Sequence, residues 1–307
     1  MSDWAVALTP PGWRRWLLDA TPHSRLQARL SRAYLGWLAF ARNPLAMLGL
    51  LIFVVLIAMT FLAPVITQHS PIAGDLGRRL LPPGGEYWLG TDQQGRDIWS
   101  RIVYGSRTTL LIVFMVAVTA APIGIAIGAT AGYVGGWVER ALMRVTDAFL
   151  AFPKLVLALA FAAALGPGIE NAVLAIALTA WPPYARIARA ETLSVRGTDY
   201  VAAARISGAS GPRILIGHIM PMCMPSLIVR VSLDMAGVIL IAAGLGFLGL
   251  GVAPPQPEWG KMVAEGRELI LEQWWVCTYP GVAIFIVSLG FNLIGDGLRD
   301  VLDPRDS

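Results

Sequence analysis

The chain has 307 residues, 56% of them hydrophobic and 14% charged, with a mean hydropathy of +0.61. That balance excludes an ordinary soluble domain and places the sequence among polytopic membrane proteins. A net charge of +4 spread along the chain is too small for a nucleic-acid footprint. Two cysteines, Cys223 and Cys277, without metal-ligand spacing offer neither a disulfide scaffold nor a zinc site.

Residues 1–44 interleave Arg14, Arg15, Arg25, Arg29, Arg32 and Arg42 with Trp4, Trp13, Trp16 and Trp37. Two readings stand for this N-terminal tail: a cytoplasmic segment lying near lipid headgroups, or a partly disordered leader. It has no early apolar run followed by a cleavage site, so no removable signal peptide is expected.

Leu45–Ile66 carries no charge and is long enough to cross about 30 Å of hydrocarbon as a helix. The polar segment 67–107 follows. Within it Gly90 and Gly95 bracket a turn holding Thr91 and Asp92, and Asp92, Arg96, Asp97 and Arg101 are expected to pair locally. From there an amphipathic helix is expected to run into a second span, within Thr108–Val138, that ends at Gly132–Trp137. This segment reads either as a well-specified outer cap or as a structural loop.

Phe149–Leu165 is the third expected span, with Lys154 snorkelling to the interface. A Gly166-Pro167-Gly168 turn leads to the fourth, Glu170–Tyr184. A polar, basic stretch, 187–224, separates it from a fifth span over Leu227–Leu248 and a sixth over Trp274–Gly295. The expected fold class is an all-α polytopic membrane protein of six transmembrane helices, residues 45–298, with a cytoplasmic helix-turn-helix loop and a short tail, 299–307.

Lys and Arg placement sets the orientation. With the N-terminus inside, fifteen arginines fall on the cytoplasmic side, and seven basic residues fall outside, where acids outnumber them. Both termini and the 187–224 stretch are therefore expected in the cytoplasm.

In that stretch Thr198 or Asp199 can cap a short helix, Gly208 can end it, and Ser210 with Pro212 can start another. Ala202, Ala203 and Ala204 keep one side thin enough for another surface to approach the backbone, with Arg205 beside them. Pro221 and Pro225 are expected to mark a bend before the fifth span. The stretch is either a plain connection between spans or a docking helix for a separate subunit.

Asp147, Asp234 and Asp296 are candidates because ionisable groups in or beside spans are costly. Asp234 reads as an i,i+4 pair with Arg230 or as a path-lining residue; Asn292 is a second path or interface candidate. Asp296 and Arg299 look like an interfacial helix end, and His218 like an interfacial donor. The small residues from Gly244 to Gly251 permit close helix contact.

A phosphate-cradling loop needs Lys followed by Ser or Thr, but Lys154 precedes Leu and Lys261 precedes Met. No site for ATP is expected, and no hydrolase motif is present. A secondary transporter would show more spans, internal repeats and broken helices. That class and a non-transport membrane scaffold remain the alternative readings.

The 199–221 stretch resembles the "EAA" loop of the inner-membrane subunits of bacterial ABC importers, at Ala203, Ala204, Gly208, Ile219 and Pro221. Ala202 stands where the motif has its Glu. The run Trp88–Arg107 resembles the LGTD-x-x-GRD-x-x-SR-x-x-YG-x-R signature of the dipeptide/oligopeptide/nickel branch. The stretches from Gly132 to Asp147, from Phe247 to Gly260 and from Phe291 to Arg305 agree with it. The likeness covers roughly residues 35–305 and is greatest to the second, or "C", permease of such a system. It implies a pore shared with a homologous permease, two cytoplasmic ATPases that bind ATP and Mg, and an extracytoplasmic binding protein. It also implies a location in the bacterial inner membrane.

Overall fold

The computed structural model describes residues 12–18 and 24–302. Trp4, Asp303, Pro304 and Arg305 lie outside the described residues. Twelve α-helices account for nearly all regular structure there, with two isolated bridges, Gly84–Tyr87 and Thr91–Asp97, in place of a sheet.

In the tail, α1 (Gly12–Leu17) packs on α2 (Arg25–Arg42), whose first turn is capped by Ser24 Oγ accepting from Gln27 N at 3.0 Å. At the corner that follows, Asn43 Oδ1 caps α3 (Pro44–Ile66) by accepting from Leu45 N and Ala46 N. The tail is thus helical over these residues and rests on the bundle: Gly36 lies against Val301, and Gly297 against Phe40.

The expected amphipathic lead-in and the second span are one helix, α4 (Ile98–Val134). It stops at Gly135, which takes a left-handed φ of 75°. The third span departs from the reading. The chain forms α5 (Gly136–Leu150) and then α6 (Lys154–Leu165), bent 89° to each other. Pro153 lacks the N–H a continuing helix would use, and α6 alone rises only about 18 Å.

The fourth expected span is the first half of a longer helix, α7 (Ile169–Arg196), whose second half carries Arg186, Arg189, Glu191 and Arg196. The stretch read as 187–224 therefore contains about three turns of α7. Next come α8 (Asp199–Ile206), α9 (Gly211–Ile214) and α10 (Met220–Phe247). The chain does not break at Pro221 or Pro225. The helix runs through from Gly211 to Phe247, widening into a π-turn over Leu215–Ile219 just ahead of Pro221. After α11 (Trp259–Gly266), α12 (Trp275–Leu302) continues past the expected end at Gly295. Asp296 is an exposed mid-helix residue, and the closing contact is Asn43 Nδ2 donating to Asp300 Oδ2 at 2.9 Å.

Among the described residues, four helices are long and apolar enough to cross a membrane: α3, α4, the Gly211–Phe247 helix and α12. The bent α5–α6 pair brings the number to five. The charged second half of α7 keeps it out of that set.

The most extensive pairing is α4 on α7. Gly124, Gly128 and Gly132 face the carbonyls of Trp181, Ala185 and Arg189. Both series repeat every four residues, so one stripe of each helix meets the other at backbone distance. α10 packs on α12, and α12 on α3. The close contact expected of the Gly244–Gly251 run is made at Gly244, which lies against Leu155 of α6. Gly246 makes room for the Glu258 carboxylate and Gly251 lies against Gly246, so the run shapes the turn closing α10.

Candidate functional site

Two built regions stand at opposite ends of α4. Arg101 and Gly132 belong to them and are separated by roughly 45 Å of helix, more than the depth of a hydrocarbon core.

At the first end, Gly90 (φ 79°) and Gly95 (φ 71°) make the expected turn, and each would clash if it carried a side chain: Gly90 with Trp275, Gly95 with the Asp75 backbone. Thr91, wholly buried, stitches the turn to the preceding segment. Its Oγ1 donates to Arg78 O at 2.6 Å and accepts from Leu81 N at 2.8 Å. Asp92 Oδ1 accepts from Gln94 N and Arg96 N, while Oδ2 takes Arg96 Nε at 2.6 Å and has Arg101 Nε at 3.5 Å.

The local pairing expected of four residues holds for three of them. Asp97 instead caps α4, accepting from Ser100 N at 3.0 Å and Ser100 Oγ at 2.5 Å. The fourth member of the charge cluster is Glu265 at the end of α11. Its Oε2 receives Arg96 Nη2 at 3.0 Å and lies 3.5 Å from Arg101 Nη2. Two carboxylates thus balance two guanidiniums that are almost fully buried, which is the condition for holding such charges out of water.

Sequence reasoning missed Glu265, which lies far along the chain and gives no periodic signal. It also missed Trp259, whose Nε1 donates to Ile102 O at 3.0 Å beneath Gly105. Beside them Glu258 caps α11, accepting from Gly260 N and Lys261 N at 2.8 Å each. Burial pushes its carboxyl up to about 7, against those hydrogen bonds and the Lys261 charge, which pull it down.

At the other end of α4, Arg196 Nη1 donates to Gly132 O at 2.6 Å and sits at the C-terminal carbonyls, the negative end of the helix. Helix α8 projects from this base. Thr198 occupies its N-cap position, but the hydroxyl donates back to Val195 O at 2.8 Å and does not cap α8. The helix ends in a double turn. Gly208 N donates to Arg205 O and Ala209 N to Ala204 O, with Gly208 at φ 81°, the geometry that favours Gly.

Val201 is the anchor of α8. It is fully buried with Ala188, Val195, Ile214, Ile219, Cys223 and Leu227 in a core separate from the main one. Burying it stabilises the docked helix by about 1.5–3 kcal/mol. Ala204 is half-buried against this core, whereas Ala202, Ala203, Arg205, Ile206 and Gly208 are exposed, Ile206 by 88%. Ile219 belongs inside the core and Pro221 is exposed at the start of α10. The resemblance positions therefore divide into an outward face and a buried brace. Tyr200 Oη and His218 Nδ1, 2.8 Å apart, tie α8 to the π-turn.

Arg230 and Asp234 form the expected pair, Nη2 to Oδ1 at 2.9 Å, with Asp234 largely buried and Arg230 about one-third exposed. Lys154 feels both charges from the start of α6. Asn292 is exposed on α12, and Asp147 pairs with Arg186 at 2.7 Å.

The family profile described as binding-protein-dependent transport system inner membrane component matches residues 124–306, and that of the N-terminal TM domain of oligopeptide transport permease C matches residues 31–83. The chain is 45% identical over 279 residues to the probable D,D-dipeptide transport system permease protein DdpC of Escherichia coli K12, covering 91% of this chain and 93% of that one. It is 42% identical over 264 residues to the dipeptide transport system permease protein DppC of Alkalihalophilus pseudofirmus, covering 86% and 87%. It is 43% identical over 237 residues to the nickel transport system permease protein NikC of Escherichia coli K12, covering 77% and 86%. Among solved structures, a chain of the inward-facing MetNI methionine ABC transporter superposes with a TM-score of 0.55 at 19% identity, covering 66% of this chain and 97% of that one, a likeness of fold. The chain belongs to the binding-protein-dependent transport system inner membrane components, the multi-pass permease subunits of ABC importers.

Proposed function

We propose that this permease forms the pore of a peptide importer with a homologous permease and is driven through α8 by two separate ATPase subunits, which bind the ATP and Mg. The observation that carries this is α8 itself: a short helix braced by Val201, with an outward face of Ala202, Ala203, Arg205 and Ile206. Small residues let a partner approach the backbone, and Ile206 supplies an apolar contact that is otherwise left in water. Closure of the ATPases would move the α8 helices together and turn the pore outward, where a binding protein delivers substrate to the end bearing the Asp92–Glu265 cluster. The names of the relatives support dipeptides or oligopeptides as the substrate class.

In this reading α7 is the sixth span, both termini and α8 are cytoplasmic, and the Gly90–Arg101 turn is extracytoplasmic. The density of arginines at the α8 end supports that orientation. Asp234 borders the path, because a partly exposed ion pair with Arg230 facing hydrocarbon is costly, and Asn292 does so as an exposed polar side chain on α12.

The test is uptake measured together with co-purification of the ATPases. Gly208→Arg adds a side chain at a left-handed position, costing about 1–2 kcal/mol, and Ala203→Trp holds the partner off. Both should leave a membrane-inserted chain that neither transports nor retains its ATPases, while Ala202→Gln is far milder. Normal uptake by both bulky variants would show that α8 is only a connector. The ligand held by the cognate binding protein decides the substrate.

A further inference from the structure

Helix α5 leaves one face uncovered, and the chemistry of that face defines its occupant. Its two acids turn toward α7, where Glu139 pairs with Arg189 and Asp147 with Arg186. Paired there, they leave the neighbouring exposed stripe, which Asp147 flanks one turn beyond Arg144, with a net positive charge among apolar residues. Trp137, Arg140, Ala141, Arg144, Val145 and Ala148 recur at spacings of three and four, the pattern of one helical face. All six are exposed, Trp137 by 73% and Val145 by 52%.

The 89° bend then turns the chain into α6, with Phe152 at the corner and Leu155 and Val156 in its first turn, all three exposed and apolar. If α6 stands along the membrane normal, α5 lies in the plane of the bilayer. That sets Arg140, Arg144 and Trp137 at headgroup level and Leu155 and Val156 at acyl-chain depth, matching the polarity profile of the interface.

We propose that this face binds the phosphate of anionic phospholipids, with Arg140 and Arg144 on the headgroup and the α6 residues against its chains. Two guanidiniums with no carboxylate partner among the described residues favour an anionic over a zwitterionic headgroup, roughly fivefold per arginine near the surface. The proposal rests on the membrane-spanning reading of α6 and is independent of what α8 docks against.

The full chain carrying Ala141→Cys, with Cys223→Ser and Cys277→Ser, is labelled with bimane and reconstituted in phosphatidylcholine vesicles, alone and with its partner subunits. Quenching is compared between 5-doxyl phosphatidylglycerol and 5-doxyl phosphatidylcholine at equal mole fraction. Quenching by the phosphatidylglycerol should be several-fold stronger, fall to parity with Arg140→Gln/Arg144→Gln, and persist with Arg140→Lys/Arg144→Lys. Equal quenching by the two lipids with both arginines present would overturn the proposal. So would a label that neither lipid reaches because water or a partner chain covers the face. Should the glutamine variant fail to insert, the arginine and lysine chains still decide between these outcomes.

Discussion

Gly128 of α4 lies so close to the Ala185 carbonyl of α7 that any side chain there would overlap the oxygen. This contact is the middle one of three, and it is what allows α7, half of it charged, to be held against an apolar helix.

The first prediction follows from that distance. Gly128→Val must separate α4 from α7 or break their register, and overpacking of this kind costs about 1–3 kcal/mol or more. Thermal unfolding in detergent should show a clear loss relative to Gly281→Ala, because nothing lies within 4 Å of a Cβ at Gly281. Equal stability of the two variants would contradict the close packing.

The charge cluster makes the second. Asp92→Ala leaves Arg96 and Arg101 buried with one partner, Glu265, which is itself one-quarter exposed. Loss of one member of a buried pair costs about 3–5 kcal/mol. Glu265→Ala should cost less than Asp92→Ala. The double variant Asp92→Ala/Arg96→Ala should be far from the sum of its two single changes. Denaturation of these variants tests the order, and additivity would show the contact to be weak.

Glu258 gives a pH dependence with a definite sign. Its folded carboxyl is raised to about 7 from 4.5, so between those values the folded chain keeps a proton that the unfolded chain releases. Stability should therefore be greatest below pH 4.5 as far as this group is concerned, decline as pH rises toward 7, and level off above it. Glu258→Gln should remove that part of the slope. The difference between the two stability–pH curves is the measurement, and parallel curves would exclude a raised carboxyl.

Topology can be read from thiols. Cys277 is half-buried near the Asp92 end, and a membrane-impermeant maleimide on intact cells should reach it if that end is outside. Cys223 is fully buried, so its silence carries no information. Ser207→Cys on the exposed end of α8 is the informative inner probe. It should label only after permeabilisation, and labelling in intact cells would reverse the proposed orientation.

Features that local chemistry governs were legible before any coordinates. Long apolar runs announced α3, α4, α10 and α12, because hydrocarbon tolerates few charges. Gly90, Gly95 and Gly208 announced turns, because a left-handed backbone favours Gly. The motif order announced the family. Contacts between residues distant in the chain settled the rest. Apolar run length could not find the whole of α7, whose burial comes from the Gly124–Gly132 stripe of α4. Nor could it find the break at Pro153, where the chain turns instead of continuing. Glu265 joins Arg96 only because α11 packs beside the start of α4. Val201 and Ile219 turn inward while Ala203 and Ile206 face out, because a second core forms between α7, α8 and α10, and no local pattern in an eight-residue helix specifies which side meets it.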